Sequence, residues 1–330
     1  MRQPLLVNPD VYREAAFRRR RSLPLGGSVE VVAGAAVTPQ TLIGYNSADE
    51  RVHFLRTEVD GDKMSATLLK KVGDGVKRGE PVAYMTYLFG LGYKEYVSPV
   101  DGTIARIFEN SGIITIREHP TPIPALLYGT VTEVEAGRSA VIEGRGTLIG
   151  AAVGHGPAAG GRLVILAPDP RPADIPADAR GAVLALAGFL TAPILTAAFR
   201  AQAKGVIAAG CDHQVLAAFA RETAGLTHEE FAARHYSAAA RRDRVDRTSG
   251  SQTVEMTVVL TEGFGPQPMR SEVHGALAEA LARADGRGVW AYLDGQAYGA
   301  GAGSRAEVIL LDGFTDANDR ALEAESEVSP

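Results

Sequence analysis

The chain has 330 residues, which is enough for two or three domains with ordinary hydrophobic cores. Hydrophobic residues make up 45% of it and charged residues 22%, a balance that excludes a disordered chain. Arginine outnumbers lysine 28 to 6, but the net charge of -5 gives no general argument for a nucleic-acid-binding protein. The single cysteine, Cys211, excludes an internal disulfide and fits a reducing compartment, so we expect a cytoplasmic globular protein.

Residues 1–21 are predicted to form an N-terminal arm with a short helix. The arm ends in four consecutive arginines, Arg18 to Arg21. Two interpretations stay open for this run. The arginines either lie in solvent, as charge runs usually do, or they bind phosphate or an acidic partner.

Residues 22–118 contain two stretches with the turns of a small β-structure. "KKVGDGVKRGEPVAYM" from Lys70 to Met85 combines glycine turns with alternating valines, and "YKEYVSPVDGT" from Tyr93 to Thr103 ends in a Pro-x-x-Gly turn. This pattern resembles the barrel-sandwich domains that carry biotin or lipoic acid. The resemblance implies a hairpin whose tip presents a modified lysine.

The carrier lysine is missing at the position where this resemblance would place it. Eight residues before Pro99 stands Leu91, and the nearest lysine, Lys94, lies on the returning arm of the hairpin. We therefore predict an unmodified sandwich without a cofactor. The apolar tip formed by Leu88, Phe89 and Leu91 either folds back on the protein or binds a partner protein.

An internal repeat accompanies this pattern. The segment from Val32 to Tyr45 aligns with the segment from Lys71 to Tyr84 at a constant offset of 39 residues. The alignment equates Gly34 with Gly73 and Ile43 with Val82. It predicts two half-units that close the core of one pseudo-symmetric sandwich.

Residues 119–170 read as short strands separated by turns at Gly137 and Gly144. Their order, Gly-x-Val-x-x-Val, a turn and then Val-Ile-Glu-Gly, resembles the KOW type of small SH3-like barrel. A linker rich in proline and aspartate follows, from Ala167 to Arg180, and indicates a domain boundary.

Residues 171–315 alternate apolar strands with helices, which predicts an α/β domain with a mostly parallel sheet. The uncharged stretch from Gly181 to Phe199 is interpreted as a buried strand and a helix start, so no membrane span is expected. Residues 222–252 are predicted to be an insertion, and residues 316–330 a C-terminal tail. The second half of the insertion carries Arg241, Arg242, Arg244 and Arg247, which either lie in a solvated loop or form a site for an anionic partner, with Arg241, Arg242 and Arg244 as the candidate binding residues.

Two strand ends in this region predict a small-ligand site. In an open α/β sheet, ligands bind at the carboxyl ends of the strands, where carboxylates and backbone N–H groups converge. The candidate residues follow two different strands and are Gly210, Asp212, Thr261, Glu262, Gly263 and Gly265. The alternative interpretation is that Asp212 caps a helix and the glycines form turns.

The predicted fold class is therefore multidomain α+β, with a lipoyl-like barrel-sandwich, an SH3-like barrel and a C-terminal α/β domain. Over its length the chain also resembles a group of bacterial proteins that combine these modules, which supports architecture and not mechanism. No known metal-binding or phosphate-binding motif occurs, so neither a metal nor a cofactor is expected.

The predicted function is a non-enzymatic binding or assembly protein that acts through protein–protein contacts. One alternative is a small-ligand-binding protein or enzyme with a site near Asp212 and Glu262. A nucleic-acid-associated protein is the weaker alternative. Oligomer formation is left open by the sequence.

Overall fold

The computed structural model describes residues 10–23, 27–46, 52–58, 61–87, 92–167, 169–223, 256–284, 288–295 and 306–314. Strands account for 52% of these residues. The strands are, in chain order, β1 (Val11–Ser22), β2 (Gly27–Val29), β3 (Ala36–Val37), β4 (Leu42–Asn46), β5 (Val52–Arg56), β6 (Gly75–Val76), β7 (Pro81–Tyr87), β8 (Gly92–Val97), β9 (Gly102–Phe108), β10 (Ile113–Glu118), β11 (Pro122–Pro124), β12 (Gly129–Glu135), β13 (Ser139–Ala151), β14 (Val153–His155), β15 (Ala159–Ile165), β16 (Val183–Leu190), β17 (Gly205–Cys211), β18 (Thr257–Phe264), β19 (Gly288–Asp294) and β20 (Ala306–Phe314).

Three α-helices lie in the described part of the chain, and they are α1 (Ala192–Arg200), α2 (His213–Thr223) and α3 (Ser271–Arg283). Short 3-10 helices occupy Gly61–Lys63, Glu109–Ser111 and Pro172–Asp174. None of the described helices is long and apolar enough to cross a membrane. The elements after residue 180 begin and end within a few residues of their predicted positions, because their apolar strands and helix starts are local signals.

The largest sheet in the described part of the chain contains eleven strands. Ten of them follow the spatial order β14-β18-β17-β16-β15-β19-β20-β13-β12-β3, and β1 adds to β13. The neighbours from β15 to β18 are parallel, whereas the pairs on either side of this group are antiparallel. The predicted mostly parallel sheet is therefore wrong, since the sheet is mixed.

The predicted multidomain α+β fold is also wrong. The eleven-stranded sheet takes strands from the predicted arm, sandwich, SH3-like barrel and α/β domain alike. The long strand β13 joins these parts of the chain into one sheet. Its residues 139–143 pair with β12 and its residues 147–151 pair with β20, while β1 pairs with it from residue 139 to residue 149.

Gly144 was predicted to break a strand, but β13 continues through it. This glycine lies where β13 passes from pairing with β12 to pairing with β20. A Cβ atom there would lie 2.6 Å from Cζ of the buried Phe17 and 2.7 Å from the backbone oxygen of Tyr128, so this position requires glycine. Gly137, in contrast, forms the predicted turn with a φ of +70°.

The predicted helix in the N-terminal arm is wrong, because residues 11–22 form β1. Alternation along β1 places Phe17 in the core and leaves Arg18 and Arg20 exposed. A strand explains four consecutive arginines better than a helix, since successive side chains point to opposite faces and meet different partners.

The internal repeat corresponds to two groups of strands with the same pairing pattern. The first repeat comprises β1, β3, β4, β11, β12 and the N-terminal half of β13, and the second repeat comprises β5 to β10. In the first repeat β1 pairs with β13, β13 with β12, β12 with β3 and β4 with β11. In the second repeat β5 pairs with β10, β10 with β9, β9 with β6 and β7 with β8.

Individual hydrogen bonds repeat as well. The N–H of Gly34 donates to Val131 O at 2.7 Å, and the N–H of Gly73 donates to Ile104 O at 2.9 Å. Both glycines have a positive φ, of +88° and +94°, so both turns have the same handedness. The alignment at an offset of 39 residues is thus confirmed as a structural repeat.

Its interpretation as two halves of one sandwich is wrong. Val37 and Ile43 belong to the core of the first repeat, whereas the matching Val76 and Val82 belong to a separate core. The second repeat lies between β4 and β11 of the first. The N–H of Asn46 donates to Thr121 O at 3.0 Å, and thereby holds the two ends of this insertion together.

Three layers form the C-terminal part of the chain: a pair of helices, the sheet and a third helix. Helices α1 and α2 pack on one face of the parallel strands, together with Leu184, Val206 and Leu260. Helix α3 packs on the opposite face, together with Ile207 and Val259. Alternate residues of the same strands therefore pack into two different cores, one on each face of the sheet.

The repeat predicts where glycine is required and where it is not. A Cβ on Gly102 or Gly129 would meet the carbonyl oxygen of the adjacent strand and would lie 2.9 Å from an isoleucine methyl, so alanine at either site should cost about 1–3 kcal/mol. Gly75 has open space around its Cα, and Gly75→Ala should change stability by less than about 1 kcal/mol. Urea unfolding of the three variants measures this difference, and equal midpoints would contradict the assigned packing.

Candidate functional site

The two predicted strand ends are adjacent in the structure. Gly210 pairs with Gly263, and Cys211 pairs with Phe264, across the neighbouring parallel strands β17 and β18. These strand ends therefore lie at one edge of the sheet.

Asp212 contacts the start of helix α2. Its Oδ1 accepts the N–H of Gln214 at 2.7 Å, and its backbone oxygen accepts the N–H of Leu216 at 3.1 Å. These are the bonds of an N-terminal cap, which satisfies amides that have no partner within the helix. The capping interpretation of Asp212 agrees with this geometry.

Glu262 is buried, with 7% of its surface exposed, and binds Arg270. One carboxylate oxygen lies 3.0 Å from Nε of Arg270, and the other accepts the backbone N–H of the same residue at 3.2 Å. Thr261, the preceding candidate residue, donates its hydroxyl to Ala208 O at 3.3 Å. The carboxylate thus holds the segment that leads into α3.

That segment, residues 265–270, crosses the carboxyl ends of β17 and β16. The N–H of Gly265 donates to Cys211 O at 3.1 Å, and the N–H of Met269 donates to Ala187 O at 2.9 Å. Gly263 and Gly265 have φ values of +99° and +113°, which only glycine adopts readily. The backbone path over the strand ends accounts for both glycines, and the small-ligand site at this edge stays a prediction.

Cys211 is the last residue of β17, next to Asp212, and its side chain faces the core. Its thiol is buried, and burial raises its pKa to about 11. The ring of the adjacent His213 packs edge-on against Phe264, with ring centroids 5.1 Å apart. A neutral, buried thiol is a poor nucleophile, so this cysteine is a core residue.

We expect native Cys211 to resist alkylation. Because its pKa is raised to about 11, the thiolate is scarce at pH 8, and the side chain is also inaccessible. Iodoacetamide labelling followed by mass spectrometry should show modification only after urea unfolding. Rapid labelling of the folded protein would contradict the assigned burial.

Glu262→Gln should destabilise the protein, because it removes the charge that binds Arg270. We expect a loss of about 1.5–3 kcal/mol, the range for hydrogen bonds to charged groups. Glu272→Gln, at an exposed position in the first turn of α3, is the matched control and should cost about 0.5 kcal/mol or less. Urea unfolding compares the two variants, and equal stabilities would show that Glu262 does not hold this segment.

The remaining predicted partner sites fall outside the described residues. Leu88, Phe89 and Leu91 at the hairpin tip do so, as do Arg241, Arg242 and Arg244 in the predicted insertion. Lys94 is described, and its Nζ lies 2.5 Å from a carboxylate oxygen of Glu58. Both tip and insertion sites stay predictions.

A different surface emerges on the second repeat. Strands β5, β10 and β9 have one face packed on the core through Ile104, Ile114 and Ile116. Their opposite face exposes Phe54 to 71% and Phe108 to 44%. We call this opposite face the outer face, and its nine positions are Val52, Phe54, Arg56, Thr103, Arg106, Phe108, Ile113, Thr115 and Arg117.

The outer face carries three arginines and no acidic residue. Arg56, Arg106 and Arg117 are exposed, and none of them forms an ion pair with another described residue. Register places Arg56 opposite Ile113, Arg106 opposite Thr115 and Arg117 opposite Val52. Three positive charges therefore lie among exposed apolar side chains.

The first repeat shows what the same positions do elsewhere in the chain. There Arg18 binds both Glu133 and Glu143, and Arg20 lies 3.4 Å from a carboxylate oxygen of Glu135. The pairing register of β1, β13 and β12 in the first repeat matches that of β5, β10 and β9 in the second, and both β12 and β9 contain a bulge. Each position of the outer face therefore has an equivalent position in the first repeat. The equivalent residues, first repeat before second, are Arg18 and Val52, Arg20 and Phe54, Glu133 and Arg106, Glu135 and Phe108, and Glu143 and Arg117.

The two faces thus differ in charge although their backbones correspond. In the first repeat Arg18 and Arg20 of β1 are neutralised by glutamates of β12 and β13. In the second repeat apolar residues replace those arginines, and arginines replace two of the glutamates. The outer face is consequently positive and apolar at once.

Sequence reasoning missed this surface, although a signal was present. The short segments "VHFLR", "IARIF" and "IITIR" each carry one arginine and alternate residues of the core face with residues of the outer face. Such short alternation predicts half-buried strands, but it does not reveal which strands are neighbours.

A comparison of the chain with family models, curated proteins and solved structures gave no match. The function is therefore inferred from the contacts, burial and charges of the described residues. Among the described residues, no three His, Cys, Asp or Glu side chains are grouped in a way that would hold a metal ion.

Proposed function

We propose that the chain is a non-enzymatic binding protein whose outer face on the second repeat binds an anionic partner. The observation that carries this proposal is the set of three arginines without an acidic partner among the described residues. Opposite charge on a partner would complete the ion pairs that glutamates supply in the first repeat.

Exposed phenylalanines add to this argument. Phe54 is 71% exposed, and side chains of this size usually contribute binding energy where they stand on a functional surface. Val52 is also exposed, so the apolar part of the face extends along β5 from Val52 to Phe54. A partner that combines negative charge with flat apolar groups would match both features.

The non-enzymatic part of the proposal rests on the residues with catalytic chemistry. Asp212 caps α2, Glu262 binds Arg270, and Cys211 is buried. Each of them has a structural partner or environment that explains its position. None of them lies on the outer face, where the proposed partner binds.

The salt dependence of binding tests this proposal. Three neutralised charges on a flexible polyanion should give a slope of about -2 for log affinity against log salt concentration. The triple variant R56A/R106A/R117A should bring that slope close to zero, because the contacts that release counterions are gone. Fluorescence anisotropy with a labelled heparin oligosaccharide, a poly-glutamate peptide and an oligonucleotide measures it from about 20 to 200 mM salt.

A charge-matched control distinguishes the outer face from net charge. The variant R18A/R20A/R138A removes three arginines from the first repeat, where all three pair with glutamates. It should leave the salt slope unchanged. The proposal fails if none of the three polyanions binds at low salt, or if both triple variants weaken binding equally.

A further inference from the structure

We infer that the anionic partner is a single-stranded nucleic acid whose bases stack on Phe54 and Phe108. This inference rests on the proposed function and names its ligand. Single-strand-binding surfaces combine arginines that contact the phosphates with aromatic rings that stack on the bases. The outer face has both kinds of side chain, on three adjacent strands.

The placement of the two phenylalanines suits two separate bases. Phe54 lies on β5 opposite Thr115, and Phe108 lies on β9 opposite Ile113, so β10 separates them. Two strand spacings amount to roughly 10 Å. The rings are therefore too far apart to hold one base between them, and each can stack with its own base.

The arginines are positioned to contact the backbone that connects such bases. Arg106 is two residues from Phe108 on β9, and Arg56 is two residues from Phe54 on β5. Residues two apart in a strand point to the same face. Each exposed ring thus has a guanidinium beside it, and Arg117 adds a third charge at the Val52 end of the face.

Other anionic partners match fewer of these features. Heparin-like polymers and acidic peptides supply charge but no flat ring for Phe54 or Phe108. A nucleic-acid duplex keeps its bases stacked inside and offers them only at their edges. Single strands present both a phosphate and an unstacked base at every residue of the polymer.

The first repeat supplies an internal contrast. At the position of Phe108 it has Glu135, which pairs with Arg20, the residue equivalent to Phe54. The corresponding face of the first repeat therefore has no aromatic ring at either stacking position. Its arginines, Arg18 and Arg20, each have a glutamate partner. We expect single-strand binding by the second repeat alone.

An abasic oligonucleotide separates base stacking from phosphate contact. The full-length chain is titrated with labelled dT12 and with a 12-residue abasic strand of equal charge, at about 50 mM salt. We expect dT12 to bind more tightly than the abasic strand. Phe54→Ala and Phe108→Ala should each weaken dT12 binding by about 5- to 150-fold and leave abasic binding unchanged.

Phe54→Trp provides a second readout that does not depend on affinity loss. Because this side chain is 71% exposed, the substitution should leave the fold intact. Stacking should quench the fluorescence of the new indole when dT12 is added, and the abasic strand should not. The control variant Tyr12→Trp, at an exposed position on β1, should show no quenching with either ligand.

The outcomes for the inference and for the proposed function are distinct. Equal affinity for dT12 and the abasic strand, or unchanged dT12 binding by both alanine variants, overturns the nucleic-acid inference and leaves an anionic partner in place. Tighter binding of the poly-glutamate peptide than of dT12 also overturns it, in favour of an acidic protein. Absence of binding to every polyanion overturns both proposals.

Discussion

The backbone hydrogen bonds of β13 determine how the rest of the chain is arranged. Each strand has two edges, and β13 uses one for β1 and divides the other between β12 and β20. The first repeat and the C-terminal sheet consequently share one continuous set of hydrogen bonds. Any change that bends β13 differently would alter both, and the glycine at position 144 lies at this junction.

Local parts of this fold were predictable from sequence, because they depend on neighbouring residues. The uncharged stretch from Gly181 to Phe199 indicated a buried strand and a helix start, and the structure has β16 and α1 there. The glycines at positions 34 and 73 indicated equivalent turns, and their positive φ values agree. Asp212 was also given its capping alternative from sequence.

The long-range arrangement was not predictable in the same way. Nothing in the four arginines of β1 identifies Glu133 or Glu307 as partners, since those glutamates lie more than 100 residues away. The same limit hid the outer face, because Phe54 and Phe108 become neighbours only through β10. Glu262 was noticed for its glycine neighbours, but its binding to Arg270 depends on the path of residues 265–270.

The insertion of the second repeat into a hairpin of the first has a consequence for the order of folding. The hairpin β4–β11 joins residues that are separated by the whole second repeat, and closing so long a loop carries an entropy cost that grows with its length. Once β5 pairs with β10, Val52 and Arg117 are opposite each other and the effective loop becomes short. We therefore expect the second repeat to fold first, and the strands β1 to β4, although they precede it in the chain, to be completed after it.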